Sequence, residues 1–361
     1  VPVSGGGDRG DYPAAVLIDV MVPAFGDDAL VRHAIISVRE QSDPRWRLTI
    51  IDDGPAAGRD AGLRQWLDLI DDRRIRYHAN DECQGINRNF QRCVDASEAD
   101  LVVLLGADDR LLPDFVSRVL TMSRRYPDAA FFHTGARIVD SEGSRVDPLV
   151  DKVKRITSIR ATTGPREVGG EQLATSLLRG NWMYFPSVVF RRRWLVEHGF
   201  RPGYDVVQDL DLYLRILLAG GRVVLFDRPG IEYRRHAASV SSAAADDGSR
   251  FDEERRFFSR AVADMTEAGW PKAAAAARRH LTSRLHALQK IPGLALAGNR
   301  DTARTMLSNA LSPLRPASAL PEVVAVPSET WTLPPWPADL DESTGADPRR
   351  PSHPNHGAPA R

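Results

Sequence analysis

The chain has 361 residues, 42% of them hydrophobic and 27% charged, a balance that excludes a disordered chain and suits one large domain with appendages or two domains. Forty-eight basic residues offset 48 acidic ones, which argues against a nucleic-acid partner, since such binders carry a basic excess. Two cysteines, Cys83 and Cys93, exclude a disulfide framework or a cysteine-rich zinc site, and no apolar run reaches the roughly 18 residues that span a bilayer.

Residues 1–14 read as a flexible leader. Their Ser4-Gly5-Gly6-Gly7 run precedes the first strand, whereas a dinucleotide-binding glycine loop follows one. No hydrophobic signal core is present there, and the sparse cysteines fit a reducing compartment, so a cytoplasmic location is expected.

From residue 15 the pattern becomes regular. A short apolar strand at 16–22 ends at Pro23, and Asp27 or Asp28 caps a helix running to about Gln41. A buried strand at 48–51 is cut off by Asp52-Asp53-Gly54. Then come a helix at 63–70, a strand at 75–78, a helix at 89–96 and a continuous apolar strand at 101–105, which ends in Gly106-Ala107-Asp108-Asp109. A helix at 115–125 and a strand at 129–133 follow. Strands alternating with helices predict βαβ units and a mostly parallel sheet.

Residues 141–170 are polar and weakly periodic, which predicts an irregular insertion. Beyond them the pattern predicts helices at 171–178, 193–198 and 209–218, with strands at 187–190 and 223–226. Residues 237–248 are small and polar, marking a loop or domain edge. An Ala-rich helical stretch fills 250–310. From Pro313 onward, 11 of the 25 prolines fall in 49 residues, which predicts a disordered tail. The expected organisation is a leader at 1–14, an α/β unit at 15–240, a helical extension at 241–312 and a Pro-rich tail at 313–361.

The carboxylates carry the chemical signal. Asp52-Asp53 and Asp108-Asp109 each follow a buried apolar strand, and ligands of open parallel sheets bind beyond the carboxyl ends of the strands. Both pairs should project into one crevice. Several carboxylates there raise each other's proton affinity unless a cation neutralises them, and a hard divalent ion with oxygen ligands is the usual answer. The plainer alternative is that each Asp-Asp-Gly-like segment is only a turn. Asp209 opens a helix, where a carboxylate serves either as an N-cap or as a general base held at a rigid terminus.

These stretches occur in an order and spacing that resemble the inverting, GT-A-type glycosyltransferases of family 2. The matching segments are Val20-Met21-Val22-Pro23-Ala24-Phe25, residues 34–42, Leu48-Thr49-Ile50-Ile51-Asp52-Asp53-Gly54, and Asn80. Gly85-Ile86-Asn87-Arg88-Asn89-Phe90, residues 101–109, residues 208–215 and Tyr233-Arg234-Arg235-His236 continue the match. The resemblance covers roughly residues 15–240. It implies a GT-A-like α/β fold, a mostly parallel central sheet flanked by helices, with a C-terminal helical extension.

The resemblance also implies roles. Pro23, Ala24 and Phe25 would line a nucleotide pocket, and Asp52 or Asp53 would hydrogen-bond the base or ribose. Arg88 would approach the diphosphate. Asp108 would face the ribose, and Asp109 would ligate Mn²⁺ or Mg²⁺. Asp209 matches the general base of a single displacement that inverts the anomeric carbon. His236 would complete the metal shell or touch the diphosphate, unless it is a plain surface histidine. The implied donor is a nucleoside-diphosphate sugar, with UDP- or dTDP-sugars favoured, and the implied acceptor a glycan, a lipid-linked intermediate or a small molecule. Three positions depart from the pattern: Gly106 stands for a frequent Asp, Gln208 for a frequent Glu, and Gly26 for a frequent Asn.

Outside this set, Gly180-Asn181-Trp182-Met183-Tyr184-Phe185 is an aromatic loop. Its Trp182 is a candidate acceptor contact, while Tyr184 and Phe185 are expected to pack into the core. Residues 278–290 set Arg278, Arg279, Arg284 and Lys290 among Leu281, Leu285 and Leu288. Such a helix either packs on the α/β unit with a solvated basic face or makes peripheral contact with an anionic membrane. Two other functions remain open: a non-catalytic nucleotide-sugar-binding protein on the same scaffold, and a nucleotidyltransferase. The latter expects a Gly- and basic-rich triphosphate loop, but Val22–Asp28 is acidic.

Overall fold

The computed structural model describes residues 17–26, 28–54, 60–161, 164–235, 249–296, 299–314, 333, 336 and 337. The leader, the 237–248 stretch, His236 and nearly all of the Pro-rich tail lie outside the described residues.

The chain begins β1 (Ile18–Ala24), α1 (Asp28–Arg39), β2 (Trp46–Asp52), α2 (Asp60–Ile70), β3 (Ile75–Ala79), α3 (Ile86–Ala96) and β4 (Leu101–Leu104). It continues β5 (Arg110–Leu111), α4 (Phe115–Arg125), β6 (Phe131–His133), β7 (Ala136–Val139), α5 (Leu149–Thr157), β8 (Arg166–Gly169) and α6 (Gly170–Arg179). Next come β9 (Val188–Arg191), α7 (Arg192–His198), α8 (Gln208–Leu218), β10 (Arg222–Leu225) and β11 (Ile231–Arg234). The C-terminal helices are α9 (Ser249–Glu267), α10 (Pro271–Arg279), α11 (Leu281–Leu296) and α12 (Arg300–Leu311).

The main sheet has the order β3-β2-β1-β4-β9-β6-β10-β8. Strands β1, β2, β3 and β4 pair in parallel, as do β6 and β10. Strand β9 runs antiparallel between β4 and β6, and β8 is an antiparallel edge. Strands β5, β11 and β7 form a second, small sheet.

Side-chain alternation explains why both faces of the main sheet are covered. In β1, Ile18, Val20, Val22 and Ala24 enter one apolar cluster with Val31, Ile35 and Val38 of α1 and Phe115, Val119 and Leu120 of α4. Met21 points the other way, into a cluster with Cys93 of α3, Leu173 and Leu177 of α6, and Leu212 and Ile216 of α8. That second cluster extends to Phe257, Phe258 and Met265 of α9 and Ala273, Ala274 and Ala277 of α10. Helices α9 and α10 therefore share one apolar core with the sheet, while Ala287 of α11 and Met306 and Ala310 of α12 form a separate small cluster with Phe251 of α9.

The expected irregular insertion at 141–170 instead contains α5 and β8. Helix α5 spans only nine residues, with Leu149, Val150, Val153 and Ile156 at helical spacing among Asp151, Lys152, Lys154 and Arg155. Both cysteines are free, Cys93 buried and Cys83 exposed.

Candidate active site

The parallel strands β1, β2 and β4 end on one edge of the sheet, and the acidic pairs stand there. Asp52 is the last residue of β2, and the backbone N–H of Asp53 continues the pairing by donating to the Ala24 carbonyl at 2.8 Å. Both carboxylates are buried. Asp53 is a structural knot: it accepts from Asn80 Nδ2 at 2.8 Å and from the N–H groups of Gln84 at 2.7 Å and Gly85 at 2.8 Å. Asp52 accepts from the Gly54 N–H at 2.9 Å and the Tyr77 hydroxyl at 2.8 Å. Those two bonds leave it acceptor capacity for a ligand. Phe25, next along from β1, is 59% exposed at the same edge.

The loop from Gly85 into α3 holds the other side of this corner. Asn89 is buried and donates to the Ile51 carbonyl at 3.1 Å, and its Oδ1 accepts from Asn80 at 3.2 Å. Asn87 donates to the Tyr204 carbonyl at 2.6 Å and to Gln208 Oε1 at 3.2 Å. Arg88, between them, is half-buried in the first turn of α3.

Asp108 and Asp109 lie four and five residues past β4. Asp109 is 2% exposed, and its Oδ1 accepts from the Arg234 N–H of β11 at 2.9 Å. Burial, then the charge of Asp108, push the Asp109 carboxyl well above its ordinary range, against the smaller opposing effect of Arg234. Asp108 is half-buried and the more open of the two. A Cβ on Gly106 would come within 2.4 Å of Asp109 Oδ2. Glycine at 106 therefore leaves the space that this carboxylate fills. Adjacent, under-neutralised carboxylate oxygens fit a hard divalent cation. Among the described residues no group of three or more His, Cys, Asp or Glu side chains is placed to hold a metal, so such an ion would need oxygens from a bound ligand as well.

Asp209 stands at the start of α8. The N-cap position is Val207, not Asp209. The helix start is instead fixed by Glu253 of α9, whose Oε1 accepts from the Val206 and Val207 N–H groups at 2.7 and 2.8 Å. Asp209 is half-buried. It accepts from Asn181 Nδ2 at 2.7 Å and from the Leu210 N–H at 2.7 Å. Burial raises its proton affinity above the ordinary carboxylate range, opposed by the Asn181 bond and by the charge of Lys154. Its neighbour Asp211 is committed elsewhere, paired with Arg215 at 2.8 Å and Arg201 at 3.1 Å. Asp209 is therefore the acid of this turn with no guanidinium partner among the described residues.

The aromatic loop contacts both Lys154 of α5 and Tyr233 of the second sheet. Lys154 Nζ sits 4.4 Å over the Tyr184 ring, and Tyr184 packs on Tyr233 with centroids 5.0 Å apart. Arg235 grips Asp151 with two bonds of 2.7 Å, tying α5 to the end of β11. The charge of Asp109 reaches Tyr233 and that of Asp209 reaches Lys154. The contacts of Lys154 with Tyr184 and of Tyr184 with Tyr233 thus link the surroundings of the two carboxylates.

Trp182 is 4% exposed and donates Nε1 to Ser176 Oγ at 3.0 Å. Phe185 packs with Phe90 and Phe200. Tyr184 lies only partly in the core, with its hydroxyl on Asp151. Asn181, Lys154 and Glu253 carry local parts of this site that composition and periodicity do not reveal.

Residues 19–179 match the family model described as glycosyl transferase family 2. This stretch of the chain is similar to a glycosyltransferase family 2 domain. Relatives of the chain include an uncharacterized protein of Mycobacterium tuberculosis, 28% identical over 237 residues, 64% of this chain and 70% of the relative. The putative teichuronic acid biosynthesis glycosyltransferase TuaG of Bacillus subtilis is 24% identical over 142 residues, 39% of this chain and 55% of TuaG. Among solved structures, S. aureus TarS in complex with UDP-GlcNAc matches with a TM-score of 0.51 and 12% identity, covering 81% of this chain and 90% of that one. The mannosyltransferase PcManGT of Pyrobaculum calidifontis, in complex with GDP-Man and Mn²⁺, matches with a TM-score of 0.50 and 16% identity, covering 81% and 85%. These likenesses show that the chain has a GT-A fold.

Proposed function

We propose that the protein transfers a sugar from a nucleoside-diphosphate sugar, of the UDP or dTDP class, to an acceptor hydroxyl with inversion at the anomeric carbon. The observation that carries this reading is the placement of Asp209. It is a half-buried carboxylate with raised proton affinity, held by Asn181 and with no guanidinium partner among the described residues.

Asp209 takes the proton of the acceptor hydroxyl, whose oxygen forms the new bond to the anomeric carbon as the bond to the diphosphate breaks. Asn181 keeps the receiving oxygen oriented. The exposed ring of Phe25, set by Pro23 and Ala24 at the buried end of β1, lines the nucleotide side, and Asp52 receives a hydrogen bond from base or ribose. Arg88 faces the diphosphate. Asp109, with Asp108 beside it, would hold Mn²⁺ or Mg²⁺, and that ion supplies charge stabilisation for the departing diphosphate. Mn²⁺ in the PcManGT complex and the sugar nucleotides in both complexes support this reading by analogy.

A lipid-linked acceptor is supported by the C-terminal helices. Leu281 and Leu285 of α11 are exposed, and Arg278 and Arg279 precede them, the composition of a surface that lies on anionic lipid. Among the described residues no helix is long and apolar enough to cross a membrane.

The test is release of nucleoside diphosphate from a UDP- or dTDP-sugar in the presence of Mn²⁺. Asp209→Asn should keep donor binding and lose turnover. Turnover that survives in that variant would remove Asp209 from the role of base.

A further inference from the structure

A cavity of about 200 Å³ is lined in part by His133, Lys154, Arg160, Trp182, Tyr184 and Asp227. A buried water needs roughly 10–15 Å³, so this space admits a group of many heavy atoms. It lies at the carboxyl ends of β6 and β10, the strand ends marked by His133 and Leu225. These strands run parallel to each other, and β6 shares the direction of β4 through the intervening β9. The cavity is therefore on the same sheet edge as the acidic pairs.

Its lining is biased in charge. Lys154, Arg155 and Arg160 face a single lining acid, Asp227. Arg155 is already paired with Asp147 at 2.6 Å. Lys154 is half-buried, sits over the Tyr184 ring, and makes no ion pair among the described residues. His133 is 7% exposed, and its buried Nε2 has no hydrogen-bond partner among the described residues. A desolvated ammonium beside an unsatisfied imidazole is costly unless a ligand supplies the missing partner. Trp182 contributes an apolar wall and directly follows Asn181, the residue that holds Asp209.

We propose that this cavity is an anion pocket for the acceptor: it takes a phosphate or carboxylate carried close to the hydroxyl that Asp209 deprotonates. The assignment to the acceptor rests on the transferase reading above; the anion preference rests on the lining alone. A neutral glycan would leave Lys154 with only the more distant charges of Asp151 and Asp209, whereas an acceptor bearing an acidic sugar or a phosphodiester would give it a direct partner.

The full chain is titrated calorimetrically with phenyl phosphate, phenylacetate and the neutral phenyl glucoside. The same titrations are run on Lys154→Met and on Ala161→Trp, which fills the cavity without changing charge. UDP with Mn²⁺ is titrated into every sample. The expected result is that an anionic probe binds at least tenfold more tightly than the glucoside and loses tenfold or more in both variants. Preference for phenyl phosphate assigns a phosphate-bearing acceptor, and preference for phenylacetate an acidic-sugar acceptor. Equal binding of the glucoside, unchanged affinity in Lys154→Met, or no binding of either anion overturns the pocket. UDP binding with no anion binding discards the pocket and leaves the transferase reading standing. Anion binding without UDP binding does the reverse. UDP binding in the variants shows that they are folded.

Discussion

Asn181 Nδ2 donates to Asp209 Oδ2 at 2.7 Å across 28 residues of sequence. The bond stabilises the ionised carboxylate against the burial that pushes its proton affinity up. Removing it in Asn181→Ala raises the Asp209 pKa further. The ionised base is the active form, so the acid limb of a pH–rate profile for donor hydrolysis moves to higher pH. An unmoved acid limb would show that Asp209 does not govern the profile.

Gly106 gives a second prediction. A Cβ at this position would stand 2.4 Å from Asp109 Oδ2, so Gly106→Ala must displace that carboxylate. The backbone there needs no left-handed conformation, and the variant should fold. Its metal-dependent affinity for UDP should fall by about tenfold or more, on the order of 1.4 kcal/mol. Calorimetry with and without Mn²⁺ reads the effect, and an unchanged affinity would detach Asp109 from metal binding.

Asp52 and Asp53 should separate in a mutational comparison. Asp53→Ala strands Asn80 Nδ2 and the N–H groups of Gln84 and Gly85. Leaving such donors without their carboxylate costs about 3 kcal/mol, seen as a drop in Tm. Asp52→Ala loses fewer structural bonds and should chiefly weaken nucleotide binding. Equal Tm losses in the two variants would contradict this division.

Buried histidines set an acid limit on stability. Burial, with Lys154 nearby, holds His133 down to about 3, and burial, with Arg284, holds His280 down to about 4, both from an ordinary 6.5. Below pH 6.5 the unfolded chain binds protons at these sites that the folded chain refuses. Stability therefore falls as the pH drops from 6.5 toward 4, by about 1.4 kcal/mol per pH unit for each group at full slope. Denaturant unfolding at pH 7, 6 and 5 tests this. His133→Phe should flatten the dependence by about one proton, and an identical slope in that variant would be evidence against it.

Much of the sheet was legible because buried parallel strands are continuous apolar runs. Residues 48–51 and 101–105 read directly as the interiors of β2 and β4. The direction of β9 was not legible, since an antiparallel strand between β4 and β6 is as apolar as its neighbours. Helix α5 was hidden because it is only nine residues long and one of its buried positions is Asp151, paired with Arg235, instead of an apolar residue. The acidic pairs stood out by their position after apolar strands. Asn181 and Glu253 did not, because each acts on the start of α8 from a distant part of the chain.

The central claim, a metal-assisted nucleotide-sugar site at this sheet edge, is tested most directly by calorimetric binding of UDP, dTDP and GDP, each with Mn²⁺ and with EDTA. The account predicts tight binding of UDP or dTDP with Mn²⁺, and its loss in EDTA and in Asp109→Ala. Binding of none of the three under either condition, by protein that is folded, would contradict it and return Asp52, Asp108 and Asp109 to a purely structural role.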